Sequence, residues 1–108
     1  MQFVVIGRDG TDAEAMDRRL KARDAHLALG DKMFAEGSLL FGVALLNDDG
    51  KMCGSVMIAD FPSRTELDAW LAVEPYVTGE VWKDIEISEC RVGPSFMGAL
   101  EALQGKTA

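Results

Sequence analysis

The sequence predicts an α+β domain with the element order βαββαβ, a four-stranded antiparallel sheet with two helices on one face. Three observations carry this reading. Short β-rich apolar runs alternate with segments of helical spacing in that order. The two middle runs flank a polar connection that contains an Asp-Gly pair. The chain has 108 residues, 48% of them hydrophobic and 27% charged, which is enough for one core and a charged surface but not for a second domain.

Each element has its own warrant. Phe3 to Ile6 is a strand-sized apolar run ended by Gly7. Beyond it Met16, Leu20, Leu27 and Phe34 recur at helical intervals, which predicts a helix capped near Thr11 or Asp12 and stopped by Gly37. Gly30 interrupts this helix, either dividing it or admitting a close neighbour. Ser38 to Leu46 and Met52 to Phe61 form a hairpin around Asn47, Asp48, Asp49, Gly50 and Lys51. Ser63 with Glu66 three residues on has capping-box spacing, and Leu67, Trp70 and Leu71 follow on one face of a second, shorter helix. Residues 74 to 79 read as a loop and Val81 to Val92 as the last strand. In that strand Trp82, Asp84, Glu86, Ser88 and Cys90 fall opposite Ile85 and Ile87. The domain therefore spans residues 1–92, and residues 93–108 form a C-terminal extension with one apolar helical side, Phe96, Met97, Leu100 and Leu103.

The hairpin is apolar on both faces, since Leu39, Phe41, Val43 and Leu45 alternate with Leu40, Ala44 and Leu46. Helices can cover one face only. The other, formed by Leu40, Ala44 and Leu46 or by their alternates, predicts a homodimer formed sheet to sheet, or a cover supplied by the C-terminal segment, or both.

Composition narrows the partners. Eighteen acidic against eleven basic residues give a formal charge of −7 without a basic block, which argues against nucleic acid and anionic membranes. No apolar run approaches the roughly 20 residues of a membrane-spanning helix. The N-terminus lacks a signal-peptide pattern, so a cytoplasmic location is the expectation. Cys53 and Cys90 then read as two reduced packing thiols. One histidine and two isolated cysteines lack metal-ligand spacing, and no glycine-rich phosphate loop is present, so neither a metal nor a cofactor is expected.

His26 is the single histidine and the first candidate for acid or base work near neutral pH. The helical spacing places it at the flank of the apolar stripe, with Arg23 one turn earlier nearly inside it. A polar pocket under the helix accounts for both residues. So does a histidine bonded at a helix edge beside an arginine that snorkels to water.

Three segments carry a family resemblance. RRLKARDAHLAL, with Arg23 and His26 in an RxxHL arrangement, resembles the first helix of YciI-like (YCII-related) proteins. GSVMIADF and EPYVTGEVW resemble their third strand and the loop into the fourth. The resemblance implies a ferredoxin-like fold in a dimeric α+β barrel-like assembly, with a site in a cleft built on a histidine and an aspartate. The histidine falls on His26, the arginine on Arg23, the strand serine on Ser55, and the loop Pro-Tyr on Pro75 and Tyr76. The acid falls on Glu74, one methylene longer than the aspartate of the pattern. The functional expectation is a cofactor-independent enzyme of lyase or isomerase type, with His26 and Glu74 as the catalytic pair. Arg23, Ser55 and Tyr76 would bind a small, anionic substrate. The alternative is a module that binds a small metabolite without turnover.

Overall fold

A computed structural model describes residues 1–105. The elements are β1 (Gln2–Asp9), α1 (Ala15–Glu36), β2 (Leu39–Leu46), β3 (Met52–Asp60), α2 (Arg64–Leu71), α3 (Pro75–Thr78), β4 (Trp82–Cys90) and α4 (Pro94–Leu103). The four strands form one antiparallel sheet in the order β2-β3-β1-β4, which is the ferredoxin-like arrangement. Residues directly opposite each other in the ladder share a face. Gly42, Met57, Val5 and Ile87 thus form one inner row, and Ala44, Ser55, Gly7 and Ile85 the next. On the outer face Phe41, Ile58, Val4 and Ser88 line up beside Val43, Val56, Ile6 and Glu86.

Local chemistry sets the boundaries. Gly37 ends α1 at φ 88°, a left-handed value that glycine adopts without steric cost, and Ser38 N–H returns to Met33 O at 2.9 Å. Gly30 leaves α1 continuous. In the hairpin Asn47 Oδ1 accepts from the N–H groups of Asp49 and Lys51, at 3.0 and 3.1 Å. Ser63 Oγ accepts from Glu66 N–H and caps α2, as its spacing predicts.

Four readings are corrected, and the outer face of β2, left open between two alternating sets, is decided. Helix α1 begins at Ala15, because Asp12 is taken up by Arg18 at 2.6 and 2.8 Å and does not cap it. Its buried residues are Arg19, His26 and Met33, whereas Leu20 and Leu27 are exposed. Residues 75–78 form a helical turn, with Pro75 in its first turn and Glu74 as its cap. Ala44 lies on the inner face opposite Ser55, so the apolar outer face of β2 is Phe41, Val43 and Leu45. Trp82 faces inward with Ile85 and Ile87, since the register shifts between Arg8 and Asp9 and Lys83 is passed over in the pairing.

The core lies between the inner face and the helices and includes Phe3, Val5, Met57, Leu67, Trp70, Tyr76 and Trp82. Cys53 and Cys90 are free. Cys90 is next to the Gln2 end of β1 and Cys53 next to the Arg8 end, about 20 Å apart along the strand. Helix α4 stands against the outer face, leaving a cleft of about 330 Å³ lined by Leu40, Phe41, Ile58, Val92, Phe96 and Leu100. It buries none of its own residues, so the C-terminal cover is partial. Residues 106–108 of the predicted extension lie outside the described residues.

Candidate functional site

The site is built where α1, α3 and the inner face of the sheet meet. Glu74 ends the segment after α2, and the extended backbone at this residue lets its carboxylate turn back to cap α3. That carboxylate is 1% exposed and accepts three hydrogen bonds. His26 Nδ1 and Tyr76 N–H, at 3.3 Å, reach Oε1, and Trp70 Nε1–H reaches Oε2 at 3.1 Å. A buried carboxylate is costly unless its lone pairs are occupied, and here they are. An ionised carboxylate only accepts, so with Glu74 ionised the shared proton lies on Nδ1 and a neutral imidazole carries its lone pair at Nε2. The Tyr76 ring stacks on the imidazole with centroids 3.8 Å apart, and Trp82 meets both rings edge-on. Burial pushes the Tyr76 phenol above its ordinary value.

A second cluster adjoins the first. Arg19, 2% exposed, grips Asp9 at 2.9 and 3.0 Å and donates from its other terminal nitrogen to Gly54 O and Ser55 Oγ, both at 3.1 Å. Its guanidinium lies 4.8 Å from the centre of the Tyr76 ring. Desolvation raises the Asp9 carboxyl above its ordinary value, against the pull of the Arg19 charge. Trp82 Nε1–H also reaches Ser55 Oγ, at 3.2 Å.

His26, Ser55, Arg19 and Tyr76 line a cavity of about 380 Å³ that opens between α1 and β2. Leu27, Phe34, Leu40 and Met57 give it an apolar wall, and Arg23 and Asp31 stand at its rim. All five residues singled out from the sequence therefore meet here: Glu74 behind His26, with Ser55, Tyr76 and Arg23 around the same space. Arg23 is exposed at the cavity rim and makes no ion pair among the described residues. The buried cation of the helix is Arg19, one turn earlier. The sequence reading missed Arg19 and Trp70. Arg19 lies seven residues before His26 and therefore on the same side of the helix, and Trp70 lies one helical turn before Glu74.

No group of three metal-ligating side chains occurs among the described residues, and no helix among them is long and apolar enough to cross a membrane.

Known proteins share this architecture. Among solved structures, the 5-chloro-2-hydroxyhydroquinone dehydrochlorinase of Burkholderia phenoliruptrix, in complex with 2,5-dihydroxybenzoquinone, is similar with a TM-score of 0.73. It is 20% identical, and the match covers 88% of this chain and 98% of that one. A dimeric ferredoxin-like protein of unknown function from Jannaschia is similar at a TM-score of 0.52 and 18% identity, over 84% and 98% of the two chains. In sequence, Protein YciI of Escherichia coli O6:H1 and that of Shigella flexneri are each 32% identical over 93 residues, covering 81% of this chain and 93% of theirs. The profile of the YCII-related domain matches residues 1–91, and this chain belongs to that family.

Proposed function

We propose that this chain is a cofactor-independent enzyme of small anionic molecules, of lyase or isomerase type, in which His26 moves a proton and Glu74 orients it. The observation that carries the reading is the buried Glu74 carboxylate on His26 Nδ1 while the same imidazole lines a cavity. Nε2 is then the working atom. As a base it takes a proton from an acidic carbon: the C–H bond breaks, an N–H bond forms, and the electron pair moves onto an adjoining carbonyl oxygen. Glu74 stabilises the imidazolium. Returning the proton to another atom completes an isomerisation, and expelling a leaving group from the neighbouring carbon completes an elimination. Arg23 draws the anion to the rim, and Tyr76 and Ser55 position it.

The neighbour bound to 2,5-dihydroxybenzoquinone suggests, as a fold-level analogy, planar oxygen-rich rings as the first substrates to test. In D2O the enzyme should accelerate exchange of the ring hydrogens of that compound, followed by proton NMR. His26→Asn should abolish the acceleration and Glu74→Gln should reduce it by about 10²-fold or more, with little change in affinity. Binding to the wild type with exchange at the uncatalysed rate would make the chain a binding module instead.

A homodimer is part of the same proposal. Phe41 and Val43 are 59% and 42% exposed on the outer face, and Phe96 beside them is 69% exposed. A second copy gives this apolar surface a partner, and the Jannaschia neighbour is described as dimeric.

A further inference from the structure

Ser55 has its hydroxyl oxygen used twice and its hydrogen unused. It is 2% exposed on the inner face of β3 and accepts from Arg19 Nη2–H at 3.1 Å and Trp82 Nε1–H at 3.2 Å. Guanidinium and indole N–H groups only donate, so both lone pairs of the hydroxyl oxygen are committed and the roles cannot be reversed. No acceptor among the described residues takes the Ser55 hydrogen. Ser55 lines the cavity, which is where a ligand can take it.

Both donors are fixed from behind. Asp9 holds the guanidinium with two bonds, and Gly54 O takes a third. Trp82 is turned inward by the irregular register at the start of β4, and its ring fits because residue 7 has no side chain. A Cβ there would stand 2.2 Å from the indole. Four elements of sequence thus converge to leave one hydroxyl hydrogen for the cavity.

We propose that Ser55 is the acceptor-selecting donor of this cavity, binding an oxygen that carries negative charge. Arg19, Asp9 and Trp82 are its positioning residues. The assignment rests on the cavity being the ligand site read above, and it names the ligand class: a small oxyanion on an apolar body, as in a carboxylate, phenolate or enolate. Amines and amidines, which only donate when protonated, are refused at Ser55. The apolar wall of Leu27, Phe34, Leu40 and Met57 receives the body, and Arg23 supplies charge at the rim. An enolate oxygen formed when His26 removes a proton meets the same donor, so Ser55 favours the charge as it develops. With both lone pairs taken and no base on its hydrogen, Ser55 is not a nucleophile.

The test is binding of benzoate and of benzamidine, followed by amide NMR shifts of the cavity residues in the full chain. Benzoate should bind the wild type and lose about tenfold or more in Ser55→Ala, the scale of a hydrogen bond to a charged group. Benzamidine should bind more weakly than benzoate and be indifferent to the substitution. Ser55→Cys keeps a weak donor of similar size and should give an intermediate benzoate affinity, so it carries the test if Ser55→Ala does not fold. Absence of benzoate binding, benzamidine binding of equal strength, or benzoate affinity untouched by either variant overturns the assignment. The failure of the proton-transfer reading is separate: it leaves benzoate binding intact while ring-hydrogen exchange is missing in the wild type.

Discussion

Glu74 shows how one residue can serve fold and site together. Its carboxylate caps α3 through Tyr76 N–H, holds His26 through Nδ1, and is held in turn by the Trp70 indole. Hydrogen bonds to a charged group contribute about 1.5–3 kcal/mol each, which offsets the several kcal/mol that burying a carboxylate costs. At the surface the same chemistry gives a pH dependence. Arg18 donates two hydrogen bonds to Asp12 and holds its carboxyl well below the ordinary value of 3.8. A depressed carboxyl contributes stability that is present above the unfolded value and lost as pH falls through the folded one. Denaturation of the wild type and of Asp12→Asn should therefore differ at neutral pH, with the difference shrinking as pH falls below 3.8. A constant difference contradicts this.

At this scale the pair His26 and Glu74 was legible because one histidine and one Glu-Pro-Tyr loop stand out and carry a family pattern. Arg19 was legible only as a residue on the His26 side of the helix. Its partners Asp9, Gly54 and Ser55 are distant in sequence and meet it only through strand pairing, so nothing local gives it a role.

Among the elements, the strands and α2 were read well because their signals are local: alternation, an Asp-Gly reversal, a serine cap. Helix α1 was read with the right end at Gly37, a start about one turn too early and the wrong inward face. The apolar stripe of a helix normally marks its buried side. Here Leu20 and Leu27 are each one residue, or about 100°, from Arg19 and His26, and the polar pair turns inward onto Asp9 and Glu74. Leu27 and Phe34 become cavity wall instead of core. The β4 bulge was illegible for a related reason. Alternation assumes one residue per step, and a single residue passed over moves Trp82 to the other face.

For the whole molecule, the two faces and two edges of the sheet differ in kind. The β4 edge carries Lys83, Asp84, Glu86 and Glu89, charges that discourage strand addition. The β2 edge, LLFGVALL, carries none. Its outer face continues into Val4, Ile6, Val56 and Ile58, and α4 covers it only in part. The apolar half of the sheet is thus the surface a second copy would cover. Light scattering should give about twice the chain mass of 11.7 kDa, and Phe41→Lys should shift the protein toward a single chain. A wild type of single-chain mass at micromolar concentration contradicts the dimer.

In the proposed mechanism Glu74 holds the proton of His26 on Nδ1 and leaves Nε2 free for chemistry. Because the chain has one histidine, the long-range proton–nitrogen NMR spectrum of its imidazole is unambiguous. At a pH where the ring is neutral, the wild type should show a protonated Nδ1 and a bare Nε2, with Glu74→Gln shifting the ring toward a mixture of tautomers. A wild-type ring protonated at Nε2, or a tautomer unchanged in Glu74→Gln, would contradict it.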